Sequence, residues 1–97
     1  MTEKRNIRFA PDPESIAQLD FDKSHNVEQF KAQANALIID ESFKGCGLVA
    51  VKREDQSYTA GNTFLATVGH LGPMVCEVKW VKELDDKLVR IGLEYQN

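Results

Sequence analysis

The sequence predicts an all-β domain whose strands close into a small antiparallel barrel with little helix. Apolar and polar residues alternate with a period of two along most of the chain, as they do in strands with one buried face. Short polar segments rich in Gly, Asp and Ser separate these alternating stretches. About six stretches follow one another at even spacing, which is typical of a closed barrel.

The length of the chain, 97 residues, suits one hydrophobic core and is too short for a second folded module. Apolar residues make up 42% and charged residues 28%, a usual balance for a globular protein, which argues against disorder. Prolines at positions 11 and 13 make the segment before the first strand extended and irregular. We therefore expect one domain, with a flexible arm over residues 1–13 and a barrel over residues 14–97.

The first strand is predicted over residues 15–22, where the alternating apolar positions carry Ala17, Leu19 and Phe21. The next segment, residues 26–39, fits two structures. Apolar residues recur at helical spacing over residues 27–36, yet the segment ends in an apolar run that is typical of a buried strand. We prefer a strand over the second half of the segment, because it supplies one of the evenly spaced strands of a barrel.

Two middle strands are predicted over residues 47–53 and 63–68, which are rich in Val, Leu, Thr and Ala. The polar residues 54–57 between them have the composition of a turn. A further turn is predicted over residues 69–73, which contain two glycines and a proline.

The last two strands are expected over residues 74–80 and 87–96, joined by a polar hairpin loop at residues 82–86. Alternation in the first of them places four residues on one face: Met74, Cys76, Val78 and Trp80. This pattern assigns Trp80 to the core or to the rim of the barrel, with lining of a ligand surface as the lesser alternative.

The overall charge excludes one class of function. Twelve Lys and Arg against fifteen Asp and Glu give a net charge of −3, whereas a general nucleic-acid binder carries a strongly positive field. No apolar run has the roughly 20 residues that cross a bilayer. The charged N-terminus is not followed by an apolar stretch of signal-peptide length, so we expect a soluble, cytoplasmic protein in which Cys46 and Cys76 are free thiols.

Two polar clusters contain the side chains best suited to binding a ligand. The first is the basic group Lys4, Arg5 and Arg8, and the second is the turn that carries Asp40, Ser42 and Gly45. Arginine presents a planar fork of donors to phosphate or to guanine, and its flat face stacks on bases. Aspartate accepts hydrogen bonds from the guanine edge, and serine donates one to a phosphate or a base. In a purely structural interpretation, the first cluster is a solvated tail, Asp40 caps the turn and Gly45 takes a positive φ.

The spacing Asp40-x-Ser42-x-x-Gly45, followed by apolar residues, resembles the signature of PilZ domains. An N-terminal motif of the form Arg-x-x-x-Arg, matched in part here, and closing strands like those at residues 75–80 and 91–95 extend the resemblance over nearly the whole chain. PilZ domains are antiparallel, typically six-stranded barrels, and many are bacterial receptors for cyclic di-GMP.

The resemblance implies a role for each residue of the two clusters. The arm residues Lys4, Arg5 and Arg8 would hold guanine edges and phosphates, and Asp40, Ser42 and Gly45 would hold the other side of the nucleotide. It also implies a receptor that orders its arm on binding cyclic di-GMP and signals to a protein partner. No other cofactor and no metal are expected.

The chain departs from the family pattern in two places. Counting back from Arg8, Lys4 occupies the position of the first arginine of the motif. Because lysine has no bidentate fork, a nucleotide-independent PilZ-like adaptor is the alternative function. The chain stops after its last strand, without the helix that mediates dimers in many members, so we expect a monomer. A third and weaker alternative is a barrel that binds single-stranded nucleic acid. Neither a phosphate loop nor a pair of catalytic carboxylates is recognisable, and we do not expect an enzyme.

Overall fold

Six antiparallel strands form a closed barrel, which confirms the predicted fold class. The structure is a computed structural model that describes residues 15–54 and 57–96. Its strands are β1 (Ile16–Asp20), β2 (Ala34–Glu41), β3 (Gly45–Val51), β4 (Thr63–Val68), β5 (Leu71–Glu83) and β6 (Leu88–Tyr95). Their order around the barrel is β1-β2-β3-β6-β5-β4, and β4 closes the barrel on β1. The predicted arm over residues 1–13 lies outside the described residues.

The second half of the ambiguous segment at residues 26–39 forms a strand, which confirms the preferred prediction. Only one short 3₁₀ turn, Val27–Gln29, forms near its start, with the Asn26 side chain accepting a hydrogen bond from the Glu28 N–H. The helical alternative over residues 27–36 is wrong, because the backbone from Ala34 onward pairs with β1 on one side and β3 on the other. Such pairing outweighs the small differences in intrinsic helix propensity.

The turn predicted over residues 69–73 is shorter in the structure. It ends before Leu71, where β5 begins, and Gly69 adopts a left-handed φ of 58°. Pro73 therefore lies within a strand, at a point where the pairing of β4 with β5 is irregular. Because proline has no N–H to donate to a regular ladder, such an irregularity is where a strand tolerates it.

The barrel interior is filled by apolar side chains from all six strands, as the alternating pattern predicts. The largest buried side chains are Leu19, Leu48, Phe64, Leu65, Val68, Cys76, Val78 and Ile91. Both cysteines are buried free thiols. Burial raises the pKa of Cys46 to about 11 and that of Cys76 to about 12, so both thiols are protonated at neutral pH. No helix in the described ranges has the length and apolar character needed to cross a membrane.

Candidate functional site

Two β-bulges shape the outer surface of the barrel on one side. Strand β2 has one extra residue relative to β3 between Ile38 and Asp40, and β5 has one extra residue relative to β6 between Val78 and Trp80. A bulge locally increases the twist of a strand and redirects the side chains beside it. Here the two bulges flank the same stretch of the sheet and bring Asp40 and Trp80 onto its outer face.

Asp40 and Trp80 are the two ends of a single row that crosses four adjacent strands. Asp40 pairs with Gly47, Gly47 pairs with Gly92, and Gly92 pairs with Trp80. We call this the Asp40–Trp80 row. Its two central residues are glycines, so the floor between the ends carries no side chain, and both end residues lie over it. A Cβ at Gly92 would overlap the indole ring, and a Cβ at Gly47 would come within 2.9 Å of the Asp40 carboxylate.

The outward position of Trp80 corrects the assignment made from alternation. Strict alternation places Trp80 on the same face as Cys76 and Val78, which are fully buried. The extra residue in β5 shifts the pattern by one position, so Trp80 points out of the barrel and 43% of it is exposed. Trp80 therefore belongs to the outer surface and not to the core.

The three motif residues Asp40, Ser42 and Gly45 lie together where β2 turns into β3. The Ser42 N–H donates to the Gly45 carbonyl over 2.9 Å, and the Lys44 N–H lies 3.3 Å from the Ser42 hydroxyl oxygen that accepts it. Gly45 is required because a Cβ there would overlap the Leu93 carbonyl oxygen of β6. Glycine is thus required at this position because two strands approach each other closely. A positive φ, which the purely structural interpretation expected, is not the reason.

The Asp40–Trp80 row and this turn enclose a shallow cleft of about 230 Å³ on the barrel surface, called the outer cleft below. The side chains of Lys44, Lys79 and Glu94 also line this cleft. The Lys79 ammonium lies 3.6 Å from a Glu77 carboxylate oxygen and 3.8 Å from one of Glu94, at the long end of ion-pair distances. Half of its side chain is exposed, so solvent weakens both contacts. The cleft thus contains two carboxylates, Asp40 and Glu94, and two exposed ammonium groups, Lys44 and Lys79, which can contact an anionic ligand.

Arg90 is a residue of the site that the sequence reasoning did not find. Its Nη2 lies 3.4 Å from Oδ2 of Asp40, and its Cζ lies 5.7 Å from the centre of the Trp80 ring. The guanidinium therefore contacts both ends of the row. Alternation along β6 already shows that Arg90 faces outward, but only the strand register reveals that it meets a carboxylate 50 residues away.

The arm residues Lys4, Arg5 and Arg8 lie outside the described residues, but the structure shows where the chain enters the barrel. Ile16 pairs with Leu37 on β2, three residues before Asp40. Arg8 precedes Ile16 by eight residues, and an extended chain of that length spans roughly 26 Å. Asp40 is only about 10 Å along β2 from the entry point. The described chain therefore enters the barrel beside the part of β2 that leads to Asp40.

Comparison of the chain with protein-family models, with curated proteins and with solved structures gives no match. Within residues 15–54 and 57–96, no group of three or more His, Cys, Asp and Glu side chains is arranged to hold a metal ion. The features that point to a function are therefore the motif and the geometry of the outer cleft.

Proposed function

We propose that the protein is a PilZ-type receptor that binds cyclic di-GMP in the outer cleft and closes its N-terminal arm over the ligand. One observation carries the proposal. The bulges and the strand register bring an exposed aromatic ring, an accessible carboxylate and several cations to the Asp-x-Ser-x-x-Gly turn. A guanine nucleotide needs these groups, since it has a flat base, an edge with two donors and an anionic phosphate.

Asp40 and Trp80 recognise the base in this proposal. The Asp40 side chain is 61% exposed, so its carboxylate can accept hydrogen bonds from N1–H and the exocyclic amine of guanine. The exposed Trp80 ring offers a stacking surface, which is worth about 1–3 kcal/mol for a nucleobase. Adenine has no donor at N1, so this pair favours guanine.

The phosphates are held by the turn and by cations in this proposal. Ser42 can donate its hydroxyl to a phosphate, and Lys44 and Lys79 raise the local positive potential. Charge is unevenly distributed along the chain. Residues 1–10 contain Lys4, Arg5 and Arg8 against Glu3, which is +2, so the remainder carries −3 − 2 = −5. A basic arm on an acidic barrel suits a compact dianion better than a long nucleic acid.

Arm closure supplies the signal. Fixing each arm residue costs on the order of 1–2 kcal/mol in conformational entropy, which charge-assisted hydrogen bonds to phosphate and guanine must offset. The closed arm creates a surface that a protein partner can distinguish, as in other order–disorder switches. The receptor thus acts through another molecule in the cytoplasm.

Calorimetric titration with cyclic di-GMP at physiological salt tests the proposal. We expect saturable binding, weakened at least tenfold by Arg8→Ala and by Asp40→Ala, because each substitution removes a charged hydrogen-bonding group. Glu83→Ala is the matched control, since it removes a carboxylate that pairs with Lys52 outside the outer cleft. No heat and no shift in melting temperature at high micromolar ligand would refute the proposal.

The alternative, a nucleotide-independent adaptor, is favoured by a separate observation. Aliphatic side chains on β2 and β3 point outward, with Leu37 and Ile39 each 40% exposed and Val51 62% exposed. Such side chains suit contact with a protein. The variant Lys4→Arg distinguishes the two functions. In a nucleotide receptor it restores the bidentate fork and should increase the affinity for cyclic di-GMP, whereas in a pure adaptor it should cause no binding of the nucleotide.

A further inference from the structure

Arg90 lies on β6 beside the outer cleft, where its guanidinium contacts Asp40 and Trp80, the two residues at the ends of the row that line the cleft. We propose that Arg90 is a further ligand-binding residue that takes a phosphate of the nucleotide, and that it supplies from the barrel the arginine that the arm lacks at Lys4. This inference rests on the proposed binding of cyclic di-GMP. It adds a residue on β6, remote in sequence from both motifs.

The contact that Arg90 makes with Asp40 is weak. Nη2 and Oδ2 are 3.4 Å apart, and the two side chains are 40% and 61% exposed, so solvent screens their attraction. In addition, Nε of Arg90 is buried and has no hydrogen-bond partner among the described residues. The guanidinium carries five donors, and few of them are used. The buried Nε is out of reach of a ligand, so the donors that Arg90 has left for one are those of its two Nη groups.

A phosphate is a better partner for this guanidinium than the Asp40 carboxylate at 3.4 Å. The planar fork matches two phosphate oxygens, and such charge-assisted bidentate contacts are shorter and stronger than a single long one. One exchange then satisfies two requirements. Arg90 turns to the phosphate, and the Asp40 carboxylate is released to accept from the guanine edge.

Trp80 keeps Arg90 in reach of the ligand during this exchange. The guanidinium carbon lies 5.7 Å from the ring centre, within the range of a cation–π contact. Arg90 also lies within β6, where its backbone is paired with Val49 of β3 and Lys82 of β5. The side chain thus extends from a fixed position, which lowers the entropic cost of binding a ligand.

The opposite role, in which Arg90 blocks the site by occupying Asp40, predicts the opposite mutational effect. To block the site, the contact of Arg90 with Asp40 would have to be strong enough to compete with the ligand. An exposed ion pair at 3.4 Å is too weak for this. Removing Arg90 should therefore weaken binding and not strengthen it.

The test compares cyclic di-GMP affinity, measured by calorimetry at several salt concentrations, in the wild type, Arg90→Ala, Arg90→Lys and Lys82→Ala. Lys82 is the matched control, because it is a neighbouring cation that pairs directly with Arg90 across the sheet, whereas the contacts with Asp40 and Trp80 are made by Arg90. We expect Arg90→Ala to bind at least tenfold more weakly and Lys82→Ala to stay within twofold of the wild type. Arg90→Lys should lie between them, since it keeps the charge and loses the fork.

Salt dependence distinguishes a phosphate contact from a merely structural role. The affinity of Arg90→Ala should fall less steeply with added salt than that of the wild type, because one cation–phosphate contact is gone. Wild-type affinity or tighter binding in Arg90→Ala would overturn the inference and leave the proposed function intact. An unchanged salt dependence in Arg90→Ala, or full affinity in Arg90→Lys, would overturn it as well. Failure of the wild type to bind would refute both proposals.

Discussion

Two clefts of similar size lie at the two ends of strand β3, and they differ in how closely their charged side chains are paired. The outer cleft, of about 230 Å³, lies at the Gly45 end, and a cavity of about 200 Å³ lies beyond the Val51 end. At the Val51 end, the Lys52 ammonium lies 2.9 Å from a Glu83 oxygen, and Arg53 donates to a backbone carbonyl over 2.7 Å. In the outer cleft, the ion pairs measure 3.4 to 3.8 Å.

The backbone differs in the same way. Strands β3 and β6 pair residue by residue along their whole length, and toward Val51 the outward positions Val49 and Arg90 carry side chains. Toward Gly45, bulges in β2 and β5 flank a floor of two glycines. The comparison teaches that the candidate site is marked by loosely paired charges and a floor without side chains, and not by the volume of the cavity.

The largest expected effect is on stability at the Gly45 end. Gly45→Ala inserts a Cβ into the Leu93 carbonyl of β6, so the strands must separate, and we expect a loss of about 3 kcal/mol in the free energy of unfolding. Gly72→Ala is the control, because a Cβ there meets nothing within 4 Å. Urea unfolding of both variants measures the difference, and equal stabilities would show that close strand approach does not explain Gly45.

A smaller effect is expected on the floor of the outer cleft. Gly92→Ala displaces the Trp80 ring, whereas Gly47→Ala meets only the mobile end of the Asp40 side chain. We therefore expect Gly92→Ala to weaken cyclic di-GMP binding about tenfold, or about 1.4 kcal/mol, and to shift Trp80 fluorescence. Gly47→Ala should have a smaller effect on both. The reverse order would contradict the assigned floor.

A separate, pH-dependent effect is expected from the thiols on the inner side of the barrel. Burial raises the pKa of Cys46 from 9.0 to about 11 in the folded protein. The unfolded chain ionises this thiol first, so its stabilising contribution is complete below pH 9 and is lost as the pH rises from 9 to about 11. Unfolding midpoints at pH 8 and 10.5 should differ less in Cys46→Ala than in the wild type. An identical difference in both proteins would contradict this origin.

Much of the fold is predictable from the sequence because period-two alternation reports directly on burial. The strand at residues 63–68 keeps its predicted bounds, and the polar loop before β6 appears close to its predicted place. The segment at residues 26–39 was ambiguous because its helix propensity is local, whereas the pairing with β1 and β3 that decides it is not.

The site was only partly predictable. Asp40, Ser42 and Gly45 are close in sequence, so a motif reveals them. The assignment of Trp80 to the core was wrong because one extra residue in β5 reverses the inward and outward pattern, and alternation carries no sign of that insertion. Arg90 was missed because its relation to Asp40 depends on the register of three strands.

Fluorescence of Trp80 tests the central claim most directly. Trp80 is the only tryptophan of the chain, and it forms one end of the Asp40–Trp80 row. Titration of the wild type with cyclic di-GMP should change the emission saturably, as a base stacks on the ring. The same titration of Asp40→Ala should require at least tenfold more ligand. Calorimetric binding without any change in Trp80 emission would contradict the account, because the ligand would then occupy another part of the barrel.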